Sequence, residues 1–268
     1  MSFYFLNPPK GPQVRRVALV LFDPLVKTPA IDPLMAGYLD DLHSLSGQLI
    51  TYELLPAIVS KEFPILQGGR RYTLEDYNAA LADDSKAYRQ TKEQYLMADY
   101  EKVLGELNLL QQLRARQADE IWFWGDKYFG FWESIMGGWL AFKCNAPDVI
   151  HNTWMLRRFV VMAFNFTCGN GEMLESFGHR AEAILAQRFN SRDFLNSLYD
   201  GRRVHPELLV PRNDFERFLL EHGTVHRLPE APKTPPPDNN YWWGGMDIRE
   251  HHRAWLAGLK PEWWALIV

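Results

Sequence analysis

Hydrophobic positions in the first half of the chain form two patterns. Short continuous runs are typical of buried strands, and apolar residues three and four apart are typical of helices. Residues 14–22 are a β-branched apolar run that ends just before Pro24, which cannot continue a strand ladder. Asp32–Leu45 has helical spacing and begins with an acidic residue and a proline. Residues 49–55 predict a second strand, so the pattern indicates a β-α-β unit.

Two further helix and strand pairs follow. Residues 94–117 have helical spacing and precede an apolar run at 119–124, and the apolar run at 157–166 precedes a helical pattern at 172–189. Residues 56–91, between the β-α-β unit and the next helix, are predicted to form an excursion from the sheet that includes a short helix beginning at Thr73. Parallel strands need crossovers and bury both faces. We therefore predict an α/β fold, a parallel or mixed sheet with helices on both faces.

The pattern changes after residue 191, where only short helices are indicated. Residues 229–240 (PEAPKTPPPDNN) predict a proline-rich extended linker, and residues 241–268 contain five tryptophans. We predict an α/β domain over residues 1–228, the linker, and an aromatic-rich C-terminal appendage that packs on the main domain. No internal repeat is evident.

Composition narrows the class of protein. With 268 residues, 47% hydrophobic and 23% charged, the chain can bury a core without metal or disulfide support, which excludes disordered and cysteine-rich scaffolds. The formal net charge of -4 argues against diffuse binding to nucleic acid or anionic lipid, so we expect neither nucleic acid nor a membrane as partner. A local basic cleft remains open.

Targeting signals and cysteines add little. The first residues lack a signal-peptide pattern, and no stretch approaches the roughly 18 apolar residues that span a bilayer. We expect a cytoplasmic protein, or one exported without a cleaved signal peptide. Cys144 and Cys168 can form at most one disulfide, and two reduced, buried thiols are the simpler expectation.

Ligands of open α/β sheets bind outside the carboxyl ends of the strands. One such end is followed by residues 124–133 (WGDKYFGFWE), where Trp124, Tyr128 and Trp132 would line a wall and Glu133 or Asp126 would transfer a proton or bind a sugar hydroxyl. The alternative is an aromatic core loop in which Glu133 caps a following helix. Asn165 marks the end of the next strand.

The turn after Asn165 (residues 167–172, TCGNGE) joins a strand to a helix. Its N–H groups favour an anion, but the glycines match neither a dinucleotide fingerprint nor a P-loop. Cys168 would be a nucleophile there, or a buried thiol.

The helix at 172–189 carries the most informative group. Glu172, Glu175, His179 and Glu182 fall at i, i+3, i+7 and i+10 along one stripe. Glu175 and His179 have metal-ligand spacing, and Glu182 lies one turn further, which favours zinc or iron with an activated water. The ends of the stripe lie about 15 Å apart, too far to share one ion. The alternative is the solvated face of an amphipathic helix.

The C-terminal segment combines rings with polar groups. Trp242 and Trp243 would stack on a sugar or peptide, or else pack to pin the chain terminus. His251 and His252 are adjacent and point in different directions, so a joint metal site is not expected there.

Two segments, 157–166 (RRFVVMAFNF) and 171–182 (GEMLESFGHRAE), resemble those of an uncharacterised family of bacterial proteins. Residues 119–125, 128–133 and the region after 241 are also similar, so the resemblance covers most of the chain in patches. It implies no activity. Relatives differ at Thr167-Cys168 and carry a glycine and a proline at Asp126-Lys127, which weakens any mechanism built on Cys168 or Asp126.

These features favour a hydrolase acting on a polar glycan-like or peptide-like substrate. Glu133 and Glu172 would be acid and base, Glu175 and His179 would orient substrate or bind a divalent metal with Glu182, and Arg180 would pair with substrate charge. The substrate-binding candidates are Trp124, Tyr128, Trp132, Asn165, Trp242 and Trp243. A non-catalytic glycan-binding, protein-binding or assembly module is the main alternative, and a nucleotide-binding regulator is a third. The cofactor, the substrate and the oligomeric state stay open.

Overall fold

The computed structural model describes residues 11–26, 31–199, 209–226 and 247–268. In this part of the chain, one mixed sheet has the strand order β2-β1-β4-β6-β5, and β3 also pairs with β1. β1 is parallel to β3 and β4, β4 is parallel to β6, and β5 is antiparallel to β6. The strands are β1 (Gln13–Phe22), β2 (Ile50–Leu54), β3 (Ile58–Ser60), β4 (Glu120–Gly125), β5 (Ser134–Gly137) and β6 (Phe159–Asn165).

The helices precede, connect and follow these strands. They are α1 (Asp32–Leu45), α2 (Leu74–Ala82), α3 (Tyr100–Glu106), α4 (Leu109–Arg114), α5 (Asn170–Arg188), α6 (Arg192–Tyr199), α7 (Asp214–His222), α8 (Ile248–Ala257) and α9 (Pro261–Ile267). The predicted α/β fold with a mixed sheet is confirmed. None of the described helices combines the length and the apolar character needed to cross a bilayer.

The central strands are buried because their sequences are apolar at almost every position. All of β4 is buried, and so is β6 up to its last residue, whereas β2 alternates between buried and exposed residues. Ile121 of β4 pairs with Val161 of β6 and Trp124 pairs with Phe164. Continuous burial is typical of strands covered on both faces.

Three elements differ from the sequence prediction. Strand β3 pairs with β1, although it lies in the segment predicted to be an excursion from the sheet. The single helix predicted at 94–117 is two helices, α3 and α4, separated at Asn108, which adopts a left-handed φ of 54°. The short strand β5 was not predicted, because its four residues lie in a glycine-containing segment that reads as a loop. A Cβ on Gly138, after β5, would lie 2.1 Å from the carbonyl oxygen of Arg157, so this close approach requires glycine.

The chain divides into two compact units. Unit 1 comprises Met1–Gln13, Ala36–Thr51 and Gly169–Val268, and unit 2 comprises Val14–Met35 and Tyr52–Cys168. In unit 1, α5 packs against α8 and α9, with the rings of Phe177 and Trp264 stacked 5.7 Å apart. In unit 2, apolar side chains of β1, β4 and β6 pack with those of α2, α3 and α4.

Candidate metal centre

Two imidazole nitrogens and one carboxylate oxygen converge in unit 1. Glu175 and His179 lie one turn apart on α5, and His226 lies in the turn that follows α7. Nε2 of His226 is 2.8 Å from Oε1 of Glu175 and 2.6 Å from Nε2 of His179. Nε2 of His179 is 3.8 Å from the same oxygen of Glu175. The donor atoms of the three side chains all lie within 4.8 Å of one another.

This geometry fits a small divalent cation. A triangle with these sides has a circumscribed radius of about 1.9 Å, so a point just outside its plane lies about 2.0 to 2.1 Å from all three atoms, the length of zinc bonds to nitrogen and oxygen. The Nε2 atoms of the two imidazoles lie close to each other and to one carboxylate oxygen. This arrangement needs a shared proton or a cation between the three atoms. Three protein ligands leave coordination positions for water or substrate, as catalytic zinc sites do.

The ligand-bearing stripe of α5 is buried. Glu175 is 8% exposed and Glu182 is 2% exposed, although both carry a carboxylate. Buried carboxylates need charged or hydrogen-bonding partners, because removing them from water is costly. The alternative in which this stripe is a solvated helix face is therefore wrong.

A glycine allows the third ligand to reach the helix. A Cβ added to Gly178 would lie 2.8 Å from Cγ2 of Val225, so the turn at residues 224–226 approaches α5 at a position without a side chain. Val225 immediately precedes His226. The close approach of this turn to α5 places the His226 imidazole over Glu175 and His179.

A second layer of hydrogen bonds fixes the ligands. Oε2 of Glu182 is 3.3 Å from Nδ1 of His179 and accepts the hydroxyl of Tyr199 at 2.6 Å. The other oxygen of Glu182 accepts the N–H of Val225 at 2.8 Å. A carboxylate on the far nitrogen of an imidazole sets its tautomer and raises its basicity as a metal ligand. Glu182 therefore positions His179 and the turn that carries His226.

Helix α8 supports the same turn from another direction. Nε2 of His251 is 2.9 Å from the carbonyl oxygen of Val225, and Nδ1 of His252 is 3.0 Å from that of Gly171. Both histidines are 1% exposed. They bind different carbonyl groups, and neither belongs to the three-ligand group.

The electrostatics of the site favour ionised Glu175 and neutral neighbours. Burial alone would raise the pKa of Glu175, but hydrogen bonds from His179 and His226 and the charge of His226 lower it to about 2. Burial lowers the pKa of His252 to about 4 and also lowers that of His251. Burial, with the nearby charge of Glu182, raises the pKa of Tyr199. The site thus holds an ionised Glu175 close to two buried histidines, His251 and His252, whose neutral forms are favoured.

Two predicted residues of α5 have structural partners. The carboxylate of Glu172 accepts the N–H of Gly169 at 2.9 Å, which caps the start of α5. Arg180 is 1% exposed, and its Nε and Nη2 donate to the carbonyl oxygen of Ile267 at 3.1 and 2.8 Å. Arg180 therefore joins α5 to α9 inside unit 1.

The candidates from the 124–133 segment and Asn165 belong to unit 2. Glu133 accepts a hydrogen bond from the side chain of Asn145 and directly precedes strand β5, so the alternative in which it caps a helix is wrong. Trp124 and Tyr128 are buried, whereas Trp132 is half-buried. Asn165 accepts the N–H and the hydroxyl of Thr167, both at 3.0 Å, within its own turn.

Other predicted residues take no part in the three-ligand group. Asp126 accepts the N–H of Lys127 at 2.7 Å, and Cys168 is a half-buried cysteine. Trp242, Trp243 and the linker at 229–240 lie outside the described residues.

Unit 2 has a separate polar cleft of about 610 Å³. Trp132 and the side chains of Gln67, Gln90 and Gln94 line it, together with the carboxylates of Asp99, Glu101 and Asp148. Among the described residues no lysine or arginine lines this cleft, although Lys102 pairs with Asp99 at 2.9 Å, so its chemistry suits an uncharged or cationic polar ligand.

His226 is the ligand that sequence reasoning missed. It lies 51 residues after Glu175, in a short turn with no motif of its own. Its one signal in the sequence is indirect: Glu175 and His179 need a third donor, and seven of the eight histidines remain available besides His179.

Comparison with protein-family models, with curated proteins and with solved structures finds no match to this chain. The functional argument therefore rests on the geometry of the site.

Proposed function

We propose that this chain is a metal-dependent hydrolase in which Glu175, His179 and His226 hold one divalent transition-metal ion. The observation that carries the proposal is the convergence of three donor atoms on one point at metal-bonding distance. An ion held by two imidazoles and a carboxylate acts as a Lewis acid and lowers the pKa of a bound water to near neutrality.

Zinc is the ion we expect, because the two-histidine, one-glutamate set with open positions is a catalytic zinc arrangement. The same ligand types also hold iron(II) in oxygenases, which need a co-substrate and an oxidant. Hydrolysis needs only water as co-reactant.

The chain's own residues keep the ligands in place. Glu182 orients His179, Tyr199 donates to Glu182, and the N–H of Val225 ties the His226 turn to the same carboxylate. Because Glu175 is itself a ligand, the acid and base that serve the substrate must be other groups. The polar surroundings, with two imidazoles, two carboxylates and a phenol, support a hydrophilic substrate of the glycan or peptide type.

Metal analysis of the purified protein tests the site directly. We expect about one equivalent of zinc in the wild-type protein, and loss of most of it in Glu175→Gln and in His226→Ala. His151→Ala is the matched control, because His151 is an exposed histidine of unit 2 that pairs with Asp148. Equal metal content in all four proteins would overturn the proposal.

Hydrolysis is tested separately with panels of chromogenic glycosides and peptides. We expect activity that a chelator removes, that added zinc restores and that is absent in His226→Ala. If the purified protein contains one equivalent of iron and zinc supports no hydrolysis, the metal site stands but the hydrolytic role is overturned.

The polar cleft in unit 2 supports a second candidate function, the binding of a glycan without catalysis. Trp rings with amide and carboxylate side chains are a common combination in carbohydrate sites. A glycan array would give signals that Trp132→Ala abolishes and that removal of metal leaves unchanged. Glycan binding that depends on His226 rather than Trp132 would contradict this assignment.

A further inference from the structure

Four large apolar side chains are exposed together on unit 2. Trp154 and Leu156 are each 84% exposed, Trp139 is 57% exposed and Leu140 is 45% exposed. Single exposed apolar residues are ordinary, but a group that includes two nearly fully exposed large side chains marks an interaction surface.

Backbone contacts hold these side chains in one place. The N–H of Trp139 donates to the carbonyl oxygen of Met155 at 2.9 Å, so the 139–140 and 154–156 segments lie side by side. Met155 is 6% exposed and anchors the second segment in the core of unit 2. Its two neighbours, Trp154 and Leu156, therefore point away from the core.

Arginines surround this apolar group. Nη2 of Arg114 donates to the carbonyl oxygen of Thr153, next to Trp154, at 2.8 Å. Nη2 of Arg157, next to Leu156, donates to the carbonyl oxygens of Leu113 and Ala118 at 3.0 and 2.6 Å. The first bond places the Arg114 guanidinium beside the segment that carries Trp154, whereas the half-buried Arg157 guanidinium faces the end of α4.

The arginine group is larger than these two residues. Burial lowers the pKa of Arg157 while Asp119 opposes this, and the charges of Arg15, Arg116 and Arg16 lower it further. Five arginines therefore lie in this region of unit 2. Part of their charge is offset by Asp119, which Arg16 and Arg157 approach within 4.0 and 3.8 Å, and by Glu120, which Arg15 approaches within 3.8 Å. The carboxylate of Glu101, which accepts the side-chain N–H of Asn152 at 3.0 Å, offsets a further part, so five positive charges face three negative ones. The whole-chain net charge of -4 conceals this local excess of positive charge.

We propose that this surface, the arginine-tryptophan face, binds peripherally to an anionic phospholipid bilayer. The arginine-tryptophan face is defined by the exposed residues Trp139, Leu140, Trp154, Leu156, Arg114 and Arg116. Tryptophan rings are favoured at the headgroup level, leucine gains from entering the acyl boundary, and arginine pairs with lipid phosphate. The positive charge of the arginines and the exposed apolar side chains thus both favour an anionic bilayer as the partner.

Two other partners fit this surface less well. Single-stranded nucleic acid would use the arginines and stack on the tryptophans, but the leucines cannot stack on bases. A second copy related by two-fold symmetry would bring two arginine groups together, at an electrostatic cost.

Co-sedimentation with vesicles tests the proposal. We expect the full chain to bind vesicles of phosphatidylcholine with phosphatidylserine, to bind phosphatidylcholine alone about tenfold more weakly, and to lose binding as salt rises. Trp154→Ala/Leu156→Ala should weaken binding to the anionic vesicles about tenfold or more, and Arg116→Glu should weaken it several-fold. Leu74→Ala/Leu81→Ala is the matched control, since these leucines are 55% and 48% exposed elsewhere on unit 2.

All substituted residues are exposed, so circular dichroism should show unchanged folding in each variant. No binding to anionic vesicles, or equal losses in the test and control variants, would overturn the proposal. Preferential binding to single-stranded DNA, or concentration-dependent dimers that Trp154→Ala/Leu156→Ala dissociates, would overturn it in favour of those partners.

Discussion

The N–H of Val225 donates to Oε1 of Glu182 across 2.8 Å, and the other oxygen of Glu182 lies 3.3 Å from Nδ1 of His179. One buried carboxylate therefore fixes two of the three ligands, His179 directly and His226 through its neighbour in the chain. The relationship also explains why an acidic residue is buried three positions after a histidine on α5.

Glu182→Gln should weaken metal binding about 10- to 100-fold, because the amide cannot provide a charged acceptor for both His179 and the Val225 N–H. Competition with a chromogenic chelator measures this affinity. Glu172→Gln is the control, since Glu172 caps α5 without touching a ligand and the amide can still accept the Gly169 N–H. It should cost about 0.3 to 1 kcal/mol of stability, through loss of the negative charge at the helix N-terminus, with little change in affinity. Equal affinities for wild type and Glu182→Gln would contradict the positioning role.

Gly178→Ala should displace the 224–226 turn and weaken metal binding about tenfold or more, because the new Cβ would lie 2.8 Å from Cγ2 of Val225. Gly105→Ala in α3 is the control, since its added Cβ meets nothing within 4 Å. Gly105→Ala should raise the free energy of unfolding by about 0.5 to 1 kcal/mol through helix propensity alone. Chelator competition and thermal unfolding of both variants distinguish the two effects.

Stability should fall as the pH drops from about 6.5 to about 4, in part because of His252. Its pKa is lowered to about 4 in the folded protein by burial, whereas the unfolded chain takes up this proton near pH 6.5. The unfolded state therefore binds more protons across this window, and the loss from this residue is about 2 to 3 kcal/mol.

Urea unfolding at several pH values measures this dependence. In His252→Gln the slope between pH 6.5 and 4 should become shallower. A variant with an unchanged slope would show that other groups produce the whole effect.

Asp41→Asn should destabilise the protein by about 1 to 3 kcal/mol. The Asp41 side chain is 1% exposed, and it accepts Nε and Nη2 of Arg249 at 2.8 and 3.0 Å and also pairs with Arg253. Asp40→Asn alters the exposed neighbour on the same helix and should change stability by less than about 0.5 kcal/mol. Denaturant unfolding compares the two variants. Equal changes in their free energies of unfolding would show that the ion pairs of Asp41 are not the cause.

Much of the fold could be predicted from the sequence, because apolar runs and helical periodicity are local signals. Asp32–Leu45 forms the predicted helix over its full length, and Thr73 caps α2 by accepting the N–H of Asp76 at 3.1 Å. The break at Asn108 and the strand β5 depend on backbone conformation and on pairing with β6, which periodicity does not encode.

The candidate site was predicted only in part for a similar reason. Glu175 and His179 share a helix, so their spacing reveals their neighbourhood, and both belong to the three-ligand group. His226 joins them through tertiary packing at Gly178, and Glu182 lies one layer behind because its oxygens are used by Tyr199, His179 and Val225. The exposed tryptophans of unit 2 gave no sequence signal that distinguishes them from core residues such as Trp124.

The bond from Arg180 to Ile267 has a consequence for the order in which the protein matures. The two residues lie 87 positions apart, and Arg180 directly follows the ligand His179. Until α9 packs against α5, the segment that carries Glu175 and His179 lacks both the bond from Arg180 to Ile267 and the apolar cover of Trp264. An ion held as proposed by Glu175, His179 and His226 should therefore bind tightly only late in folding, after α9 has packed on α5, rather than serving as a nucleus around which the chain collapses.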